Sequence, residues 1–401
     1  MKSTWLQSYL VLRNFFKSSN IVFYLYSKIR CFLDVLKFSI IKSLLFFKSE
    51  PKDLNLKRRI LRSKVIKLLR QSTKKKPHVY WVGNDYDQDF SGFIQAIKKI
   101  FLVSYYMDGE SYGQEWNHHY LDIKTKKIQS KKIKERVFSA HKRSKVDILL
   151  MQTWGFKICK KTIREIKEKT GCIVVNIGMD DKHSFIGKLY HLNNGTYGLA
   201  SVIDYHLSSS TEAVAWFRKC GVPCDYFPEA SSRDIFYPLN THKKHQVGLI
   251  GGAYGIRTKI HDKLCRSGVS VTAYGFGWPR GRLDNSKVNE FYNSCEVVLG
   301  IGGIGHCLDF CSLKLRDFDV PLSGAFYLTS FCNDLLSEYV VGKEIESYNN
   351  IDDLVEKVHY YLENSVEREF IAQRGYKRAL NSHTYKIRIE HLIQKLVTGN
   401  L

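Results

Sequence analysis

Two successive runs of alternating strand-like and helix-like segments constrain this chain more than any other feature. The first opens with "HVYWVG", a short strand, then the polar loop "NDYDQDFSG" and the helical "FIQAIKKIF". "KVDILLMQTWG" and "CIVVNIGMDD" read as further strands. Between them "KKTIREIKEKTG" reads as a helix ending at a glycine, a common stop. "DYHLSSS", "TEAVAWFRKCG" and "CDYFPEA" add strand, helix and strand. The polar, proline-bearing "SSRDIFYPLNTHKKH" then breaks the rhythm. It restarts with "QVGLIGG", "IRTKIHDKLCRSG", "VSVTAYGFG", "KVNEFYNSC" and "EVVLGIG", continues through "SLKLRDFDVPLSG" and "AFYLTS", and ends in helices. Such alternation predicts parallel sheets with helices on both faces. The expected fold class is therefore α/β, with two Rossmann-like domains facing a cleft. The expected domains are residues 77–240 and 241–380, followed by a terminal helix over 381–401. Ligands of such sheets gather at the C-terminal ends of the strands.

Residues 1–76 stand apart. The chain of 401 residues carries a formal net charge of +23. Roughly two-thirds of that excess lies in this arm, where only Asp34, Glu50 and Asp53 oppose the lysines and arginines. Nucleic acid, an anionic membrane or a polyanionic substrate could each account for such a charge. A nucleic-acid enzyme spreads its basic groove over the folded body, so no nucleic-acid partner is expected. In the arm, aromatic and aliphatic residues alternate with lysines, and no apolar run is long enough to span a bilayer. That pattern predicts a basic helical extension lying on an anionic membrane surface, with Trp5, Phe15, Phe16 and Phe46 dipping in. An ordinary helical extension packed on the body is the alternative.

The ten cysteines are scattered, with no convincing signal peptide before them, and are expected as reduced thiols of a cytoplasmic protein. Cys220/Cys224 and Cys307/Cys311 have C-x-x-x-C spacing rather than the C-x2-C of zinc knuckles, so no metal site is expected.

Two glycine-rich stretches invite a phosphate. Gly300-Ile-Gly302-Gly-Ile-Gly305 spells G-x-G-x-x-G, but "HCLDFCS" follows where a dinucleotide turn would start its helix. Gly302 is therefore read as part of a cleft-facing strand tip that allows close backbone approach to a ligand. "GLIGGAYGIRTKI" fits better. It leaves the first strand of the second run and enters a helix with Arg257, so Gly251, Gly252 and Arg257 are expected at a diphosphate. Farther on, Lys314, Arg316, Asp317 and Asp319 cluster near a helix start. Their cations can offset charge on a departing nucleotide, and a carboxylate can grip ribose hydroxyls.

These last residues carry a likeness. "LKLRDFDVPLSGAFYLT" resembles the R-x-F-E-x-x-x-x-G-x-x-x-L-T signature of CgeB-like (spore maturation protein type) glycosyltransferases, within the glycosyl transferases group 1 of GT-B fold. "VGKEIESYNN", "EREFIAQRG" and "HTYKIR" are similar to further elements of that family in the same order, and "VGLIGGAYGIR" to its F-x-G-x-x-x-x-x-R loop. The likeness spans 205–388, and more loosely 80–181. It implies a nucleotide-diphosphate sugar as donor substrate, no other cofactor, no metal, and a glycan or lipid-linked acceptor of the cell envelope at the inner face of the membrane. It also implies that Asp319 holds the ribose, Arg257 faces the diphosphate, and His383, Thr384, Tyr385 and Arg388 lie on helices returning to the first domain. The first carboxylate of the related E-x7-E motif falls at Ser312 and is missing. A catalytic base is expected from the first domain's strand tips, among Asp85, Asp87, Asp89, Asp180, Asp181 and His183. A non-catalytic scaffold of the same fold and a nucleic-acid-binding protein are the rival readings.

Overall fold

The computed structural model describes residues 20–72, 76–83, 91–108, 111–112, 123–187, 194–308 and 310–399. Two helices come first, α1 (Asn20–Phe46) and α2 (Leu54–Ser72). The first sheet then forms from β1 (His78–Val82), β2 (Leu102–Ser104), β5 (Ile148–Met151), β6 (Ile173–Gly178), β7 (Tyr205–Ser208) and β8 (Cys224–Tyr226). A two-stranded hairpin of β3 (Met107–Asp108) and β4 (Ser111–Tyr112) lies between β2 and β5 in sequence. All six strands are parallel, in the order β2-β1-β5-β6-β7-β8. Their connecting helices are α3 (Phe93–Ile100), α4 (Ile123–Arg143), α5 (Lys160–Thr170), the short α6 (Asp181–Ser184) and α7 (Thr211–Lys219).

The side-chain alternation of β1 shows how the sheet is filled. Tyr80 and Val82 enter the core layer built with Ile133 and Val137 of α4 and Ile163 of α5. Val79 and Trp81 enter the opposite layer, with Phe93 and Ile97 of α3. A sheet covered on both faces needs apolar residues at both parities, which is why its strands read as continuous apolar runs. The helix ends follow their local chemistry. Ser210 caps α7 by accepting from the Ala213 N–H, and Gly171 ends α5 in the left-handed conformation at φ 67°.

The second sheet is also parallel, in the order β10-β9-β11-β12-β13: β9 (His245–Ile250), β10 (Val271–Tyr274), β11 (Cys295–Leu299), β12 (Tyr327–Ser330) and β13 (Glu346–Tyr348). Its helices are α8 (Ile256–Arg266), α9 (Val288–Asn293), α10 (Arg316–Leu322), α11 (Leu335–Glu338), α12 (Ile351–Glu363) and α13 (Ser365–Ser382). The last helix, α14 (Tyr385–Thr398), crosses back and buries Tyr385, Ile389 and Leu396 in the first domain's core. Ser231 pins the crossing. Its N–H donates to the His383 carbonyl at 3.0 Å, and its own carbonyl accepts from the Tyr385 N–H at 3.0 Å.

Helix α1 straddles both domains. Phe38 lies between Trp216 of α7 (5.6 Å) and Phe310 of the second domain (5.0 Å), and the Lys219 ammonium donates to the Leu45 carbonyl at 2.7 Å. Tyr26 meets His306 edge-on at 5.5 Å. Cys31 is joined to Cys307 in a disulfide, which corrects the expectation that every cysteine is a free thiol; the other eight are free. The far face of α1 leaves Leu25, Ile29, Phe32, Leu36 and Leu44 exposed. No described helix is long and apolar enough to cross a membrane. Trp5, Phe15 and Phe16 lie outside the described residues.

Candidate active site

The phosphate-binding candidates come together at the C-terminal end of β9. Gly251 has φ 150°, a conformation side chains avoid, and a Cβ there would stand 3.1 Å from Arg257 Nη1 and 3.7 Å from Arg316 Nη1. The glycine thus lets the backbone meet two guanidinium groups reaching it from different helices. Arg257, in the first turn of α8, donates to the Gly252 carbonyl at 3.3 Å and lies over the Tyr254 ring at 4.5 Å. It is buried, and burial together with the neighbouring Arg316 charge lowers its pKa to about 10. Neither arginine makes an ion pair among the described residues, and the buried Nε of Arg316 has no hydrogen-bond partner. Asp317 and Asp319, on the same helix as Arg316, interact electrostatically with it, so two carboxyl groups stand near the pair.

Gly302 has a different role from the one expected. Its N–H donates to Ser330 Oγ at 2.8 Å and its carbonyl accepts from the Ser312 N–H at 3.1 Å, so both backbone groups are engaged inside the domain. Gly305 approaches the phosphate loop instead. Its carbonyl accepts from the Ile256 N–H at 3.0 Å at the start of α8.

Lys314 links the domains just before α10. Its ammonium donates to Asp180 Oδ1 at 3.0 Å, and its N–H donates to Asp317 at 2.5 Å. Burial works against this charge, but Asp180 and Glu229 outweigh it and raise the pKa. Asp180 is held well below the usual carboxylate range, because Lys314 and His183 overcome its burial. His183, on α6, is pushed down by burial and by the Lys314 and Lys37 charges against the pull of Asp180, so its ring is neutral at pH 7. The ring's Nδ1 has no hydrogen-bond partner, while the residue's carbonyl accepts from Lys37 of α1 at 3.0 Å.

Two expected positions need correction. Asp181 does not reach the cleft. Its side chain is sealed inside the first domain, where one oxygen meets His206 Nε2 at 2.7 Å, because the start of α6 turns it back onto β6. Asp319 is not open to a ribose. Its two oxygens accept from Ser231 Oγ at 2.7 Å and Ser91 Oγ at 3.0 Å, so α10 points it at the first domain. Burial raises it to about 7, against the hydrogen bonds from the two serines. Asp317 is likewise consumed, by the Tyr327 hydroxyl at 2.7 Å and Thr329 at 3.2 Å. Asp85, Asp87 and Asp89 lie outside the described residues. Sequence reasoning passed over Tyr254, Ser91, Ser231 and Glu229. The lone glutamate in the apolar "CDYFPEA" was the one signal available for Glu229. Among the described residues no cluster of His, Cys, Asp or Glu could hold a metal ion.

Residues 257–394 match a family model described as glycosyl transferase-like. A comparison with curated proteins returned no significant match. Among solved structures, a sucrose-phosphate synthase from Thermosynechococcus elongatus superposes with a TM-score of 0.59 at 9% identity, over 81% of this chain and 100% of that one. HepE of Anabaena, in complex with UDP and glucose, gives 0.58 at 10% identity, over 80% and 100%. An α-glucosyltransferase in complex with UDP and a mismatched 13-mer DNA gives 0.54 at 12% identity, over 80% and 99%. The fold is that of the GT-B glycosyltransferases: two α/β domains, each with a parallel sheet. Its second half carries a glycosyl transferase-like domain.

Proposed function

We propose that the protein is a glycosyltransferase of CgeB-like type that moves a sugar from a nucleotide-diphosphate donor to a glycan or lipid-linked acceptor of the cell envelope. The observation that carries the reading is the pair of guanidinium groups, Arg257 and Arg316, converging on the Gly251–Gly252 loop. Similar structures hold UDP and glucose, or UDP, which makes UDP sugars the first donors to test. In the transfer, an acceptor hydroxyl oxygen bonds to the anomeric carbon. The bond from that carbon to the β-phosphate oxygen breaks, and its electron pair leaves with the nucleoside diphosphate. Arg257 and Arg316 neutralise the departing charge, which needs no bound metal. The proton of the acceptor goes to a base at the first domain's strand tips. Of the expected bases among the described residues, His183 is the one that burial keeps from holding a proton of its own.

A seat for this chemistry on the cytoplasmic side of a membrane is the reading that the arm supports. The exposed apolar residues of α1 recur every three or four positions, beside exposed Lys28, Arg30, Lys42 and Lys48. This composition suits anionic headgroups. Purified protein incubated with UDP-, GDP- and TDP-sugars should release nucleoside diphosphate, with EDTA leaving the rate unchanged. Donor binding without turnover in the presence of envelope glycans and lipids would instead favour the scaffold reading.

A further inference from the structure

Helix α1 is fastened to the two domains by different means. To the first domain the fastening is noncovalent. The Lys37 ammonium donates to the His183 carbonyl at 3.0 Å, and the Lys219 ammonium donates to the Leu45 carbonyl at 2.7 Å. To the second domain it is covalent, through Cys31 and Cys307. Their Cα atoms stand 5.2 Å apart, a separation that a disulfide bridges. The contacts of Tyr26 with His306 and of Phe38 with Phe310 lie on either side of that bond along α1.

The covalent end lies beside the phosphate loop. Cys307 follows Gly305 by two residues, and the Gly305 carbonyl accepts from the N–H of Ile256, the residue before Arg257. A Cβ on Gly255 would collide with that carbonyl, so the two loops touch directly. A Cβ on Gly305 would in turn stand 3.3 Å from Asp34 Oδ2 of α1. The position of α1 thus reaches the start of α8 through a single loop.

The bond is also placed to be made and broken. Cys31 is partly exposed and Cys307 is buried, so a soluble thiol meets the Cys31 sulfur first. Among the described residues the other eight cysteines form no disulfide. Even Cys311, four residues beyond Cys307, donates its thiol to the Phe331 carbonyl at 2.8 Å instead. A chain that keeps most of its cysteines as thiols is not an oxidised scaffold. A single disulfide in such a chain is commonly a transient, redox-sensing one.

We propose that Cys31 and Cys307 form a reversible redox strap. The disulfide holds α1 across the two domains and steadies the phosphate loop, and reduction frees the second-domain end of α1. In the exchange, one thiolate of a dithiol reductant attacks Cys31 Sγ. The S–S bond breaks, and its electron pair passes to Cys307 Sγ, which takes up a proton. The second thiol of the reductant then displaces Cys31 and closes the reductant's own disulfide. Two electrons and two protons pass to the protein, and a disulfide oxidant reverses the exchange. A steadied loop has less freedom to lose on binding, so the oxidised form should hold a nucleoside diphosphate more tightly. Only that last effect rests on the nucleotide-sugar reading above.

The test compares full-length wild type, Cys31→Ser and Cys307→Ser, each equilibrated with dithiothreitol or with glutathione disulfide. Non-reducing peptide mapping should find Cys31 joined to Cys307 in the oxidised wild type and both as thiols after dithiothreitol. Subtilisin should cut α1 about tenfold faster in the reduced wild type than in the oxidised. Both serine variants should be cut at the reduced rate under either condition. For the best-bound of UDP, GDP and TDP, reduction should raise the dissociation constant about three- to tenfold in the wild type and leave it unchanged in the variants. Cys31 and Cys307 not joined in the oxidised wild type, equal cutting of its two states, or cutting of either variant that still follows the redox state would overturn the strap. Equal diphosphate affinity in the two states would overturn its coupling to the phosphate loop. Failure of every diphosphate to bind either state would overturn the donor reading instead, with the cutting rates still deciding the strap.

Discussion

Asp317 and Asp319 sit two residues apart on α10, yet they serve opposite sides of it. Asp317 is held by Tyr327 and Thr329 of its own domain, and Asp319 by two serines of the first domain and its connection. For Asp319 the sign of the pH effect follows from its raised pKa. Between the ordinary aspartate value of 3.8 and about 7, the unfolded chain has lost a proton that the folded protein keeps. Stability from this group is full below that window and is lost as the pH rises through it. Asp319→Asn should therefore flatten the fall in melting temperature between about pH 4 and pH 7. An unchanged slope would show that other groups set it. The arginines make a different prediction. Arg316→Ala removes a like charge from beside Arg257 together with a cation that attracts Asp317 and Asp319, so the melting temperature of the free protein should change little. Its affinity for a nucleoside diphosphate should nevertheless fall about ten- to a hundredfold, as expected for lost charge-assisted bonds. That Arg257 meets the Gly251–Gly252 loop was legible in the sequence, because the two are neighbours along the chain. The engagement of Asp319 was not, because the serines that hold it lie 228 and 88 positions away. Asp181 misled for a similar reason: a strand-tip carboxylate reads the same whether α6 turns it outward or inward.

Helix α1 shows what composition alone leaves open at the scale of an element. Its lysines and aromatics read as a membrane-surface helix, whereas a packed extension was the alternative. In the fold it is packed on both domains and still carries an apolar outer stripe. The two faces can be separated by experiment. Phe32→Glu with Leu36→Glu, on the outer face, should leave the melting temperature unchanged and abolish sedimentation with phosphatidylglycerol vesicles. Phe38→Ala, on the inner face, removes a ring shared by Trp216 and Phe310. It should cost about 1–2 kcal/mol and expose α1 to limited proteolysis, while vesicle binding persists. Equal vesicle binding by the outer-face variant would show that the stripe does not face lipid. The disulfide from Cys31 to Cys307 was illegible, because the partners are 276 positions apart and the spacing of Cys307 points to Cys311 instead.

At the scale of the whole molecule, the two parallel sheets follow from the doubled strand–helix rhythm, broken once at the polar stretch before β9. That rhythm is a local property repeated many times, so it survives where single long-range contacts cannot be read. The cleft's chemistry depends on both halves. The cations come from the second domain, while Asp180 and His183 come from the first. The central claim is that this cleft holds a nucleotide-diphosphate sugar against Arg257 and Arg316. Titration of the full-length protein with UDP, GDP and TDP, read as thermal stabilisation, tests it most directly. At a hundredfold its dissociation constant a ligand adds about 2.7 kcal/mol, which a melting curve resolves. At least one of these diphosphates should stabilise the protein, and the stabilisation should be about halved or reduced further in Arg257→Ala and in Arg316→Ala. Stabilisation by none of them, or stabilisation undiminished by both substitutions, would contradict the reading.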